Sequence, residues 1–167
     1  MKKYIAFVLC SIILSCDDGD LQIETLDFDS ITSVQSCGGV SVSSANVLFK
    51  INGDEALILE LPNGAIKNEA TTEDISVNIN ESGSVVYRIF SGTVSSNYFC
   101  DDVPPVEPVV TQEIVAEDGV VFITTSAVDS ITFEHTIRLS GISLVTEDES
   151  RITDLRINDF GTVTTKL

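Results

Sequence analysis

Tryptophan is absent from the chain, histidine and methionine occur once each, and there are only four prolines and three tyrosines. Basic residues are scarce as well: 9 Lys and Arg stand against 26 Asp and Glu, for a net charge of −17. Such a surface repels phosphate backbones, which argues against a nucleic-acid partner, and it resists lying flat on an anionic bilayer. One histidine and four cysteines carry no zinc-ligand spacing. The chain also lacks a nucleophile elbow, a phosphate-cradling glycine loop and a dinucleotide fingerprint. No apolar run reaches the roughly 20 residues that a membrane-spanning helix needs. Beyond residue 16, no segment of ten or more residues shows helical periodicity.

What is present begins at the N-terminus. Lys2 and Lys3 precede the eleven-residue apolar run Tyr4 to Leu14, whose one strongly polar member is Ser11. The run stops abruptly at Cys16-Asp17-Asp18-Gly19-Asp20. A short positive region followed by an apolar stretch of this length fits a secretory signal better than a spanning helix.

The tetrad Ile13-Leu14-Ser15-Cys16 resembles the lipobox of bacterial lipoproteins: an aliphatic residue, a tolerant position, a small residue, then Cys. The resemblance covers only about the first 20 residues. It implies cleavage between Ser15 and Cys16, a covalent diacylglycerol on the Cys16 thiol and acylation of the new amino group. Two or more acyl chains give stable membrane attachment where one does not. Asp17, Asp18 and Asp20 resemble the acidic surface-export signal of Bacteroidota lipoproteins, whereas in enterobacterial lipoproteins an Asp after the Cys implies inner-membrane retention. The first rule is preferred, giving an outer-membrane or cell-surface destination. The chain as a whole resembles small, acidic flavobacterial envelope lipoproteins, a likeness that carries no activity with it.

The expected organisation is a signal peptide over 1–15, an acidic tether over 16–20 and one β-domain over 21–167, with a weak boundary at 101–108. Apolar residues make up 43% of the chain, which argues against disorder. Cys10 would leave with the signal and Cys16 is the lipid site, so Cys37 and Cys100 remain in a compartment that permits disulfides. Their pairing would close a loop of about 64 residues, a stabilisation of about 4 kcal/mol in the chain-entropy model. Two buried free thiols are the alternative.

The rest reads as short strands separated by turns. Val47, Phe49 and Ile51 alternate ahead of Asn52-Gly53, a strong hairpin signal, and Ala56 to Leu61 returns. Ile75 to Ile79 and Val85 to Ile89 follow; Val86 and Phe90 on the opposite face of the latter suggest burial on both sides. The pattern dissolves between Ser91 and Pro108, suggesting a crossover between sheets. Asp118-Gly119 reads as a hairpin turn between Val109–Glu117 and Val120–Ser126. Ile131, Phe133, His135, Ile137 and Leu139 alternate with polar residues, and Gly141 offers a bulge before Ile142 and Leu144. About eight to ten such strands predict an all-β fold, an antiparallel β-sandwich.

Candidate chemistry is thin. His135 could act as a general base, but on the apolar face of its strand it reads as a core residue. Tyr98-Phe99 beside Cys100 is expected to pack over the disulfide. A glycosidase-like carboxylate pair is open by composition, with nothing to choose the two members. Calcium is the least implausible cation, through Asp17, Asp18 and Asp20, Asp101 and Asp102, or Glu147, Asp148 and Glu149. None of these matches an EF-hand spacing, and solvated acidic loops are the preferred reading. The expected function is therefore a non-enzymatic, lipid-anchored module, structural or binding, that meets an envelope or extracellular partner. An envelope hydrolase using a carboxylate pair and a calcium-stiffened adhesin-like module are the alternatives.

Overall fold

The computed structural model describes residues 26–147, 149–152 and 155–167. The expected signal peptide over 1–15 with its Ser15–Cys16 cleavage point, the expected acidic tether over 16–20, and Asp148 lie outside the described residues. Strands dominate: β1 (Leu26–Asp27), β2 (Gln35–Ser36), β3 (Asn46–Asn52), β4 (Glu55–Leu61), β5 (Ile75–Asn78), β6 (Ser84–Phe90), β7 (Val110–Ala127), β8 (Thr132–Leu144), β9 (Leu155–Arg156) and β10 (Asp159–Lys166). A single helical turn, α1 (Ser96–Cys100), interrupts them. The domain is all-β with a large antiparallel sheet, as the alternation predicts.

Its main sheet runs β10-β8-β7-β6-β4-β3-β2, with β5 pairing on β7, while β1 and β9 form a separate parallel pair. The sheet curls into a half-barrel, so its two halves face each other across one core. Leu48, Leu57, Leu59, Val85 and Tyr87 from β3, β4 and β6 meet Val121, Ile123, Ile137, Leu139 and Phe160 from β7, β8 and β10. A sandwich-like core thus arises from one sheet folded over itself. The irregular stretch at 91–109 is not a crossover: it joins β6 to β7, which are adjacent and antiparallel.

The hairpin expected at Asp118-Gly119 does not form. Those residues lie inside the 18-residue β7, opposite β8, where the register shifts between Ala116, Asp118 and Val120. Gly119 has φ +139 and Gly141 has φ +64, so each strand takes a bulge that an ordinary side chain would oppose. The consequence is a change of parity. Ile114 and Ala116 point inward before the bulge, but Val121, Ile123 and Thr125 do so after it. On β8, inward His135, Ile137 and Leu139 give way to Ile142 and Leu144. Because side chains alternate with period two, one extra residue changes which positions point inward and so keeps the apolar set on the core side past the bulge. Each strand thereby serves the curled sheet on both sides of its bend.

On β3 the Val47, Phe49 and Ile51 face is the outer one. Leu48 joins the main core, while Val47 is 50% exposed and Phe49 packs on the outer side with Ile58 and Val86. β6 is buried on both sides, with Val85 and Tyr87 inward and Val86 and Phe90 outward.

Candidate functional site

On the outer face, cross-strand pairing aligns Phe49, Ile58, Val86 and Val115 in one row over β3, β4, β6 and β7. The turn of α1 lands on one end of this row. It is closed by Tyr98 N–H donating to Ser95 O and Asp101 N–H donating to Asn97 O. The Phe99 ring stacks on Phe49 at 4.4 Å between centroids, and Tyr98 meets Phe90 edge-on at 4.9 Å. Cys100, the last residue of α1, is disulfide-bonded to Cys37 just past β2, with Cα atoms 5.2 Å apart. The aromatic pair therefore packs on strand phenylalanines, immediately before the disulfide-bonded Cys100.

Between this patch and the 37–45 loop lies a groove of about 510 Å³, lined on one side by Gly38 and Gly39, on the other by Val47, and backed by Phe49 and Phe99. Asn46 holds the loop in place: its Oδ1 accepts from Ser41 N–H at 2.7 Å, and its Nδ2 donates to Ser41 O and Ser44 O. Gly38 and Gly39, at φ +76 and +92, have open space where a side chain would stand. No residue lining the groove is charged. Three other cavities each carry carboxylates: Glu60 and Glu81, Glu113 and Glu147, Asp29 and Asp159. Glu113 is engaged by Arg88 in an exposed ion pair.

The second notable group is Lys50, which sequence reading passed over. It lies on the Leu48 side of β3 and is 1% exposed. Its Nζ donates to Phe28 O and to Asp159 O, both at 2.8 Å, and sits 5.6 Å from the centre of the Phe160 ring. One amine thus joins β3 to the start of β10 and to the segment after β1, at the open seam of the half-barrel. Burial pushes its pKa below the usual lysine value, against the opposing pull of Asp159, Asp29 and Asp27. The sequence signal was a lysine between apolar residues, Phe49 and Ile51, but such a pattern more often marks a solvated face.

His135 is fully buried, as its place on the apolar face of β8 predicts. Thr165 Oγ1 donates to Asn68 Oδ1, so it accepts from His135 Nε2 at 2.7 Å. His135 Nδ1 then accepts from Thr125 Oγ1 at 2.8 Å. The neutral ring is satisfied at both nitrogens, and burial lowers its pKa from the usual histidine value. Among the described residues, no group of three or more His, Cys, Asp or Glu side chains is placed to hold a metal ion. No helix among them is long and apolar enough to cross a membrane. Comparison with known proteins found no match among family models, curated proteins or solved structures.

Proposed function

We propose that the protein is an envelope lipoprotein, held by a diacylglycerol on Cys16 at the outer membrane, whose β-domain is a non-enzymatic structural or binding module. The observation that carries this reading is the division of the cysteines. Cys37 and Cys100 occupy each other in a disulfide, the mark of an exported domain, and Cys16 stands after a lipobox-like run. The non-enzymatic part rests on His135, whose two nitrogens are committed inside the core. The imidazole, the side chain most suited to base chemistry near neutral pH, is thereby withdrawn from solvent, and the Cys37 and Cys100 sulfurs are tied up in their disulfide.

The test is metabolic labelling with a radioactive fatty acid, followed by membrane partition after a high-salt wash. The wild type should carry label and stay with membranes. Cys16→Ala should lose both while retaining the folded β-domain. Label on the Cys16→Ala variant, or none on the wild type, overturns the lipoprotein reading. Protease shaving of intact cells then assigns the domain to the outer surface or the periplasmic side.

A further inference from the structure

We infer that the groove between the 37–45 loop and β3 is a peptide-binding site for an extended segment with an apolar centre and basic flanks. The inference rests on the binding-module half of the proposed function and is independent of the lipid anchor. Three observations carry it. The first is electrostatic: the chain bears a net charge of −17, yet no groove residue is charged. The surroundings are acidic. Asp101 and Asp102 follow the disulfide-bonded Cys100, and Glu60 stands directly across from Val47 in the β3–β4 pair. An apolar floor with a carboxylate rim favours a ligand that is apolar in the middle and positive at its ends.

The second is the available backbone. β2 pairs with β3 only at Leu48 and Phe49, so the β3 edge runs unpaired past Val47 on the groove side of β2. Among the described residues, no main-chain hydrogen bond engages Gly38 or Gly39, and a Cβ on either would meet nothing within 4 Å. Exposed main-chain donors and acceptors beside a strand edge are the means by which extended peptides are held. The third is prior order. The Cys37–Cys100 bridge fixes one end of the loop wall and Asn46 fixes its other end with three hydrogen bonds, so little is left to freeze on binding. The partly exposed Phe99 ring, backed by Phe49, gives an apolar side chain a surface to meet.

The test uses fluorescence anisotropy with the full chain in detergent micelles, at about 0.15 M salt, where charges are screened beyond about 8 Å. Three short labelled peptides are compared: a Val/Phe/Thr centre with lysine ends, the same centre with glutamate ends, and a Ser/Gly centre with lysine ends. The first should bind saturably and the other two at least tenfold more weakly. Val47→Glu, at an exposed strand position, should weaken the first peptide at least tenfold, while the like charge of Glu60 across the ladder lowers the urea midpoint only modestly. Ser44→Glu on the opposite wall serves the same purpose if Val47→Glu does not fold, and Val128→Glu, remote from the groove, should change nothing. Equal binding of both lysine-ended peptides reduces the effect to bulk charge and overturns the site. So does an absence of binding, an unaffected groove variant, or saturable binding of an uncharged oligosaccharide in place of the peptide. None of these outcomes touches the Cys16 labelling result, so failure of the groove and failure of the lipid anchor are separable.

Discussion

His135 and Lys50 are both ionisable groups in the interior of the half-barrel, and they are handled in opposite ways. The imidazole is neutral and satisfied by two threonines, so acid is its hazard. Its folded pKa lies below the 6.5 of the free side chain, and between those two values the unfolded chain binds more protons than the folded one. The contribution of the neutral ring is therefore complete above pH 6.5 and is lost as pH falls toward the folded value. Urea midpoints should decline over that interval in the wild type, and His135→Gln should flatten the decline even if it lowers the midpoint throughout. A slope unchanged in the variant would assign the effect elsewhere. Lys50 instead donates to the main-chain oxygens of Phe28 and Asp159 and lies in the attractive field of the Asp159, Asp29 and Asp27 carboxylates, which opposes the lowering of its pKa by burial. Lys50→Met should cost about 1–3 kcal/mol, because the two hydrogen bonds go and the carboxylates lose their cation. Denaturant titrations of the wild type and the variant measure the loss. Histidine's position in a strict alternation made its burial legible. Lysine's did not, because depth at the seam depends on β10, over a hundred residues away.

At the scale of elements, the reading of β7 shows where pattern stops. Asp118-Gly119 carries a turn signature, and the chain does depart from regular strand geometry there. Whether such a departure reverses the chain or only bulges it depends on the partner strand. Here β8 carries its own bulge at Gly141 and follows β7 through the bend. The two glycines make different demands. A Cβ on Gly119 would lie 2.5 Å from Ile142 Cδ1 and 3.0 Å from Ile142 Cα, whereas one on Gly141 would meet nothing within 4 Å. Gly119→Ala should therefore cost about 2–4 kcal/mol, combining backbone strain with a clash against main chain. Gly141→Ala should cost only about 1–2 kcal/mol, from its left-handed backbone alone. Equal losses in urea denaturation would refute the close approach of the two strands. The single turn of α1 was equally invisible in sequence, since five residues are too few to show periodicity. Its place is set from outside, by Phe49, Phe90 and the bond to Cys37.

For the whole molecule, alternation made strand content and the all-β class legible, but the closing of one sheet on itself was not. That closure depends on contacts between distant segments: Leu26 beside Leu155 in the parallel pair, and Lys50 reaching Asp159. The same closure gathers acidic residues onto a small surface with little local compensation. Arg88–Glu113, Arg138–Asp74 and Arg156–Asp27 are ion pairs at exposed or partly exposed positions, where each contributes little. With a net charge of −17, self-repulsion in the compact state should outweigh them. Salt, which screens both, should then stabilise the fold. The melting temperature is expected to rise as sodium chloride is raised from about 0.01 M to about 0.5 M, over which the Debye length falls from about 30 Å to well under 10 Å. A fall would mean that the ion pairs govern stability after all. Cation identity adds a sharper comparison. Screening alone treats calcium and magnesium alike, whereas a built oxygen site prefers one of them by size and ligand number. Equal melting temperatures in calcium and magnesium chloride at the same concentration are expected for solvated acidic loops. A rise specific to calcium, reversed by chelator, would instead mark the domain as a calcium-stiffened module.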